Sequence, residues 1–451
     1  MIFCALPGVG GHGLAWSGRT KYVLCRARQY VRGRISEGAV LCLNVSEMSA
    51  TATVDTPAHV APHLVVDFDF MRPGPEGSDP FEAWTRLHGL PPLVWTPRNG
   101  GHWLATRGED IPVILKNHEQ FSSRRVFIGM LDRPKAVPLE YDPPEHGPLR
   151  KVLIPAFTPK AVSVWSAEAR RLSIELIEGF KADGQCEFIH DFAQQLPMII
   201  FLKIVDLPLK HRQRLVDWVG TGLRSTDTAR RIQARAHLNA YLENMLDERL
   251  ASPGKDLFSM AIQTDIGGRR MNREEALGLA SGLLGGGLDT VAATMGWIAM
   301  FLAQNPAHRR ELTANPTRIP KAIEELMRRF SIANIARVVR QDMEYLGASL
   351  NAGEQILMAS CIHGLDQRSF ECPMEVRFDR KDSYKHSTLS HGIHRCIGAS
   401  LATQEIKIFL EEWLARIPEF ATVAGDPPAM ATGIVHGLTR LALQWEARSG
   451  Q

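Results

Sequence analysis

No two of the seven cysteines (4, 25, 42, 186, 361, 372 and 396) form a CxxC pair, and none has disulfide-like spacing, so a reducing cytoplasm is the expected compartment. Charge excess is also missing: a net +3 is too small to imply binding to nucleic acid or to a membrane surface. No internal repeat or linker interrupts the chain after Pro62. With 451 residues, 45% hydrophobic and 22% charged, there is ample material for a large globular core.

What charge there is falls unevenly. Within residues 1–47, Arg19, Lys21, Arg26, Arg28, Arg32 and Arg34 stand against Glu37 and Glu47, a balance of +4 that leaves −1 for the rest. No uninterrupted apolar core follows these cations, which excludes a secretory signal. The segment is expected to be an unstructured extension ahead of a single domain over 48–451. Met48 is the alternative start, and an Arg-rich transit peptide a lesser one.

One apolar run is long. Ala276–Leu302 carries a single charge, Asp289, and is long enough to span a bilayer, with Gly278, Gly282 and Gly286 recurring every four residues. Yet Gly285-Gly286-Gly287 costs a helix about 1 kcal/mol per glycine relative to alanine. Asp289-Thr290 also puts polar groups at the segment's centre. The better reading is a buried central helix, thinned by glycine where a cofactor or substrate must fit. Helical period extends over 167–180, 228–250 and 273–304. A β-hairpin is expected where 93–96 and 102–106 flank Asn99-Gly100-Gly101. A helix follows the Asp142-Pro143-Pro144-Glu145 loop, and 344–357 and 434–446 are short and strand-like. Helix dominates, with strands few and peripheral.

The most informative stretch is His391-Gly392-Ile393-His394-Arg395-Cys396-Ile397-Gly398, at the mouth of an amphipathic helix. A helix N-terminus favours thiolate over thiol. Gly392 and Gly398 let backbone approach something flat and large. Such a thiolate is either an iron ligand or a nucleophile. A zinc set from His391, His394 and Cys396 would crowd its ligands into a few residues with no partner pair elsewhere.

Together with Gly286-Gly287-Leu288-Asp289-Thr290 and Glu325-Leu326-Met327-Arg328, this loop resembles the cytochrome P450 haem-thiolate monooxygenases. Glu-x-x-Arg alone is weak, since Glu168 and Arg171 share the spacing by chance; the order and separation of all three motifs carry the likeness. It spans 62–446 and lies nearest the camphor-hydroxylase branch. It implies a mainly α, P450-like fold with a small β region and haem b on an axial Cys396 thiolate, which donates electron density to the iron.

The same resemblance implies residue roles. His146, Arg150, Arg337 and His394 would bind the haem propionates, to which cationic donors are suited. Asp289 and Thr290 would be the oxygen-activation pair, an acid and a hydroxyl relaying protons into a dry pocket. Glu325 and Arg328, three apart on a helix, would be structural. Phe127, Gly282, Gly285, Ala333, Ile434 and Val435 would contact substrate.

Several positions depart from that branch. Leu389 and Ser390 replace a Phe-Gly pair, and Ser390 would be strained by about 1–2 kcal/mol if the glycine used positive φ. Ile335 replaces an aspartate near a propionate. The 128–141 loop is shorter and offers no tyrosine for a substrate ketone, Tyr141 lying too late. The implied activity is hydroxylation of an unactivated C–H bond in a small hydrophobic terpenoid. Candidates are a camphor-like ketone, a cineole-like ether or a norisoprenoid. O2 is the oxidant, with two electrons from NADH through a ferredoxin reductase and a [2Fe–2S] ferredoxin docking near Arg150. A cytoplasmic monomer without membrane or nucleic-acid partners is expected. The rival readings are a non-catalytic haem-thiolate sensor and an H2O2-using peroxygenase of the same fold, both disfavoured by the intact Asp289-Thr290 pair.

Overall fold

A computed structural model describes residues 54–75, 77–129 and 134–447 in full, and the backbone of 23–31 and 34–42. The chain divides into two compact units, Met1–Met48 and Ser49–Gln451. In the first, strand Val23–Val31 pairs antiparallel with Arg34–Cys42, from Val23 opposite Cys42 to Val31 opposite Arg34. The segment expected to be unstructured thus includes two paired strands, whose Val, Leu, Ile and Tyr residues among the arginines suit an extended backbone. The other residues of 1–47 lie outside the described ones.

The second unit is mainly helical, as the sequence leads one to expect. Helix Pro159–Phe180 begins before the periodic stretch, because Thr158 caps it by accepting from the Ala161 N–H at 3.3 Å. It packs along Ala399–Arg416, the helix that follows Cys396. Phe188, Phe192, Phe409 and Trp413 cluster beside that junction, Phe188 meeting Trp413 edge-on at 5.0 Å between ring centroids. Arg170 ties the two helices through Glu411 and Glu412.

The apolar segment Arg273–Gln304 has the length and composition to cross a membrane, but here it is a broken core element. Helix Arg273–Gly287 opens with a capping box between Asn272 and Glu275, and helix Thr290–Gln304 resumes after Leu288-Asp289. Gly278 is needed for packing, since an added Cβ would sit 2.0 Å from the Lys135 carbonyl oxygen. At Gly285 and Gly286 a Cβ would meet nothing within 4 Å. Glycine therefore serves packing at Gly278 and at Gly287, where a Cβ would lie 2.5 Å from the Phe201 ring, and open space at Gly285 and Gly286 between them.

Strands are not merely peripheral. The 93–96 and 102–105 hairpin forms in the expected place, Trp95 opposite Trp103, turning through Asn99, Gly100 and Gly101 at positive φ. It continues into a five-stranded sheet in the order Leu93–Thr96, His102–Ala105, Gln355–Ala359, Asn334–Val339, Phe121–Ser122. Only the pairing of His102–Ala105 with Gln355–Ala359 is parallel. The stretch 344–357 turns at Leu346-Gly347, both at positive φ, to form the hairpin Met343–Tyr345/Ala348–Leu350, and residues 351–354, with Gly353 at φ 90, separate it from Gln355–Ala359. The stretch 434–446 likewise divides between two sheets, as Gly437–Arg440 and Ala442–Gln444.

Candidate active site

A cavity of about 420 Å3 lies between the broken helix, the sheet end and the Cys396 loop. Its lining brings together Cys396, His394, Arg150, Thr290, Phe127 and Ala333, residues scattered over more than half the sequence. Gly282, Gly285, Ile434 and Val435 also line it, so every position singled out for substrate contact faces one space. Asp289, His146 and Arg337 are not part of that lining.

Cys396 stands between the short turn Gly392–His394 and the helix Ala399–Arg416. Its N–H donates to the Leu389 carbonyl at 2.9 Å, which closes the loop and leaves the sulfur at the cavity wall. Gly392, at φ 68, passes so close to Lys116 that a Cβ would lie 3.1 Å from the Lys116 Cα. Ser390 does adopt positive φ, 60°, and its buried hydroxyl has no partner. Burial pushes the Cys396 thiol up, whereas the Gly398 N–H and the Arg150 and Arg395 guanidiniums pull it down. The helix N-terminus is thus outweighed by burial, and a bound metal cation is what would deprotonate this sulfur outright.

On one side of the cavity, cationic and imidazole groups are buried without enough partners. Arg337 is 1% exposed; its Nη1 donates to the Ala336 carbonyl at 2.9 Å, and its Nη2 has no partner. Burial draws its pKa down to about 10, partly offset by Asp142. The His146 and His394 rings lie 4.3 Å apart, each with an unpartnered Nε2. Burial depresses both, His394 to about 2 with Arg337 adding repulsion, and His146 to about 4 with Arg150 adding repulsion. Arg150 donates to the Arg395 carbonyl at 2.6 Å. Unpaired buried donors of this kind are costly, and a group carrying carboxylates would satisfy them. A flat macrocycle with carboxylate arms, seated on the Cys396 sulfur, fits these residues.

Asp289 points elsewhere than the cavity. Arg224, at the end of helix Arg212–Arg224, grips it with Nη1 at 2.6 Å and Nη2 at 2.5 Å. The Thr290 hydroxyl donates to the Gly286 carbonyl at 2.9 Å, bridging the break in the helix. The pair identified from sequence is therefore adjacent in chain but divided in space, the acid in an ion pair and the hydroxyl on the cavity wall.

Glu325 and Arg328 are fully buried and bonded at 2.8 Å through two contacts. Arg328 also donates to the Gly364, Pro373 and Glu375 carbonyls. Sequence reasoning missed the third member: Arg380 donates to both Glu325 oxygens at 3.0 Å. It also missed Asp142, whose buried carboxylate accepts from Ser122 at 2.5 Å, the Ser123 N–H at 2.8 Å and Arg340 at 2.6 Å. That carboxylate pins the strand Phe121–Ser122 beside the helix His146–Leu153. Neither Arg380 nor Arg224 lies in a motif that spacing could have revealed. The Asp142-Pro143-Pro144-Glu145 pattern marked its loop but not this partner set.

The family model described as Cytochrome P450 matches residues 223–417. A protein described as probable cytochrome P450 127A1, from Sinorhizobium fredii, is 35% identical over 402 residues, covering 86% of this chain and 96% of that one. Mycinamicin IV hydroxylase/epoxidase of Micromonospora griseorubida is 30% identical, with 70% of this chain and 82% of its own covered. Among solved structures, cytochrome P450 CYP101C1 superposes with a TM-score of 0.78 at 37% identity, covering 87% of this chain and all of its own.

Proposed function

Because the chain belongs to the cytochrome P450 family, whose cofactor is haem on a cysteine thiolate, we propose that Cys396 is the axial ligand of a class I monooxygenase acting on a small hydrophobic terpenoid. Bound haem supplies activation of dioxygen and insertion of one oxygen atom into a C–H bond. Everything else is done by the protein.

Arg337, His394, His146 and Arg150 hold the carboxylate arms, and the unpartnered buried atoms of Arg337, His394 and His146 are the observation that carries this reading. The apolar lining binds the hydrocarbon and excludes water, which strengthens each polar contact at the reacting end. Thr290 presents its hydroxyl on that wall, ready to exchange the Gly286 carbonyl for an oxygen acceptor in the cavity. Asp289 supplies protons to Thr290 from the side held by Arg224, so delivery requires the ion pair to loosen. Tyr141 is absent from the lining, which supports a substrate other than one held by a tyrosine at that loop. Bicyclic monoterpenoids and norisoprenoids suit the volume.

Electrons reach the site from NADH through a reductase and a [2Fe–2S] ferredoxin, docking over the half-buried Arg150 near Arg395. The protein works as a cytoplasmic monomer. The deciding experiment is the absorption of the reduced, carbon monoxide-treated holoprotein. A red-shifted Soret band of anionic sulfur trans to CO is expected, and its loss in C396S. A wild-type spectrum without that band overturns the reading. NADH consumption dependent on added terpenoid, with a reconstituted ferredoxin chain, separates an oxygenase from a sensor.

A further inference from the structure

The cavity lining contains no Asp or Glu among the described residues, and its polar groups fall into two sets. Near Cys396 and the sheet end, the hydroxyls other than that of Ser390 are already committed within the protein. Thr294 donates to the Thr290 carbonyl, Ser360 to Ala333, and Thr388 to Met327. The second set is different. Asn239 and Ser281 line the same cavity, and neither side chain has a hydrogen-bond partner among the described residues. They come from helices Thr228–Ala251 and Arg273–Gly287, which pack against each other. Arg235, one helical turn before Asn239, lines the cavity on the same face.

These groups are remote from the reacting end. Ser281 precedes Thr290 by nine residues along the broken helix, a separation of about 13 Å at a helical rise of 1.5 Å per residue. Between them the wall is Gly285 and Gly286, where a Cβ would meet only open space. The glycines clear a lane from the polar end to the Thr290 end. A compact bicyclic skeleton spans only part of that lane, so it cannot touch both ends at once.

We infer that the substrate is an elongated hydrocarbon ending in a carbonyl or carboxylate oxygen, held by Asn239 and Ser281 with Arg235 beside them, while its opposite end lies at Thr290. This rests on the monooxygenase reading and selects among its substrates. Amide and hydroxyl groups left unsatisfied in a cavity are paired by such an oxygen, and an apolar end in their place would leave them desolvated. The arrangement also sets regiochemistry, since oxidation falls at the end remote from the oxygen.

The test titrates holoprotein, first verified by its carbon monoxide spectrum, with three probes of one skeleton: cyclohexylbutanone as the methyl ketone, cyclohexylbutanoic acid and butylcyclohexane. Affinity is read from the low- to high-spin Soret shift. The ketone or the acid is expected to bind about tenfold more tightly than the hydrocarbon, the equivalent of one net hydrogen bond. N239L should erase that preference while leaving butylcyclohexane affinity unchanged. S281A, which removes a single atom and leaves folding intact, should reduce it. A larger loss for the acid than for the ketone in R235A identifies the carboxylate as the preferred end. Turnover should place the new hydroxyl on the ring. Equal affinity for all three probes, or an equal loss for all three in N239L and S281A, overturns the inference. A missing carbon monoxide band would instead overturn the monooxygenase reading itself.

Discussion

Arg224 closes a two-pronged ion pair on Asp289 across 65 positions of sequence, with both side chains about one-tenth exposed. The last residue of one helix thereby holds the acid that sits at the break in another. The pair couples the end of helix Arg212–Arg224 to the acid beside Thr290.

Removing one partner of a mostly buried pair leaves the other charge uncompensated. R224A is expected to lower stability by about 3 kcal/mol, measurable by urea denaturation. D289N keeps the shape but not the proton, so product formation should slow about 100-fold. Its carbon monoxide spectrum should match wild type, and unchanged turnover would remove Asp289 from the relay.

Arg337 is buried with an unpartnered Nη2. R337A should weaken haem retention by about 1.5–3 kcal/mol, the worth of a hydrogen bond to a charged group. Transfer of haem to a scavenger such as apomyoglobin would then be at least about tenfold faster. Unaltered transfer rates would place Arg337 away from the propionates.

Ser390 sits at φ 60 with a buried, unbonded hydroxyl, where glycine carries no penalty. S390G should stabilise the protein by about 1 kcal/mol, the left-handed strain less the added chain entropy of glycine. Nearby, G392A must destabilise it, because its Cβ would press on Lys116 at positive φ. Chemical denaturation midpoints moving in opposite directions are the readout.

His436 is fully buried, and its Nε2 accepts a hydrogen bond from the Trp84 indole at 3.0 Å, which only the neutral ring can do. Burial, with Arg224 adding repulsion, depresses its pKa from 6.5 to about 3. Above pH 6.5 the ring is neutral folded and unfolded, and its contribution is complete. As pH falls from 6.5 toward 3, the unfolded chain takes up a proton that the folded one refuses, so stability drops by up to about 1.4 kcal/mol per pH unit. H436Q should flatten the slope of melting temperature against pH over that window. An identical slope would show that His436 does not carry it.

Local signals made much of this legible. Asn99-Gly100-Gly101 specified its hairpin because those residues tolerate the positive φ the turn requires. Gly392 and Cys396 marked the ligand loop for a similar reason, backbone conformation and sulfur chemistry both being properties of single residues. The Asn334–Val339 strand escaped notice because its residues are buried on both faces and show no alternation. Arg380, Arg224 and Asp142 escaped because an ion pair depends on distance, not on spacing in sequence.

By itself, then, the sequence determined which residue types could ligate, turn or relay, since those capacities belong to a side chain and its immediate neighbours. Only the tertiary structure decided that Asp289 faces Arg224 rather than the cavity, that Arg337 stands without its full complement of partners, and that Asn239 and Ser281 meet the same space. Burial and partnership arise where distant segments converge, and no local pattern encodes which atoms will be left unpaired there.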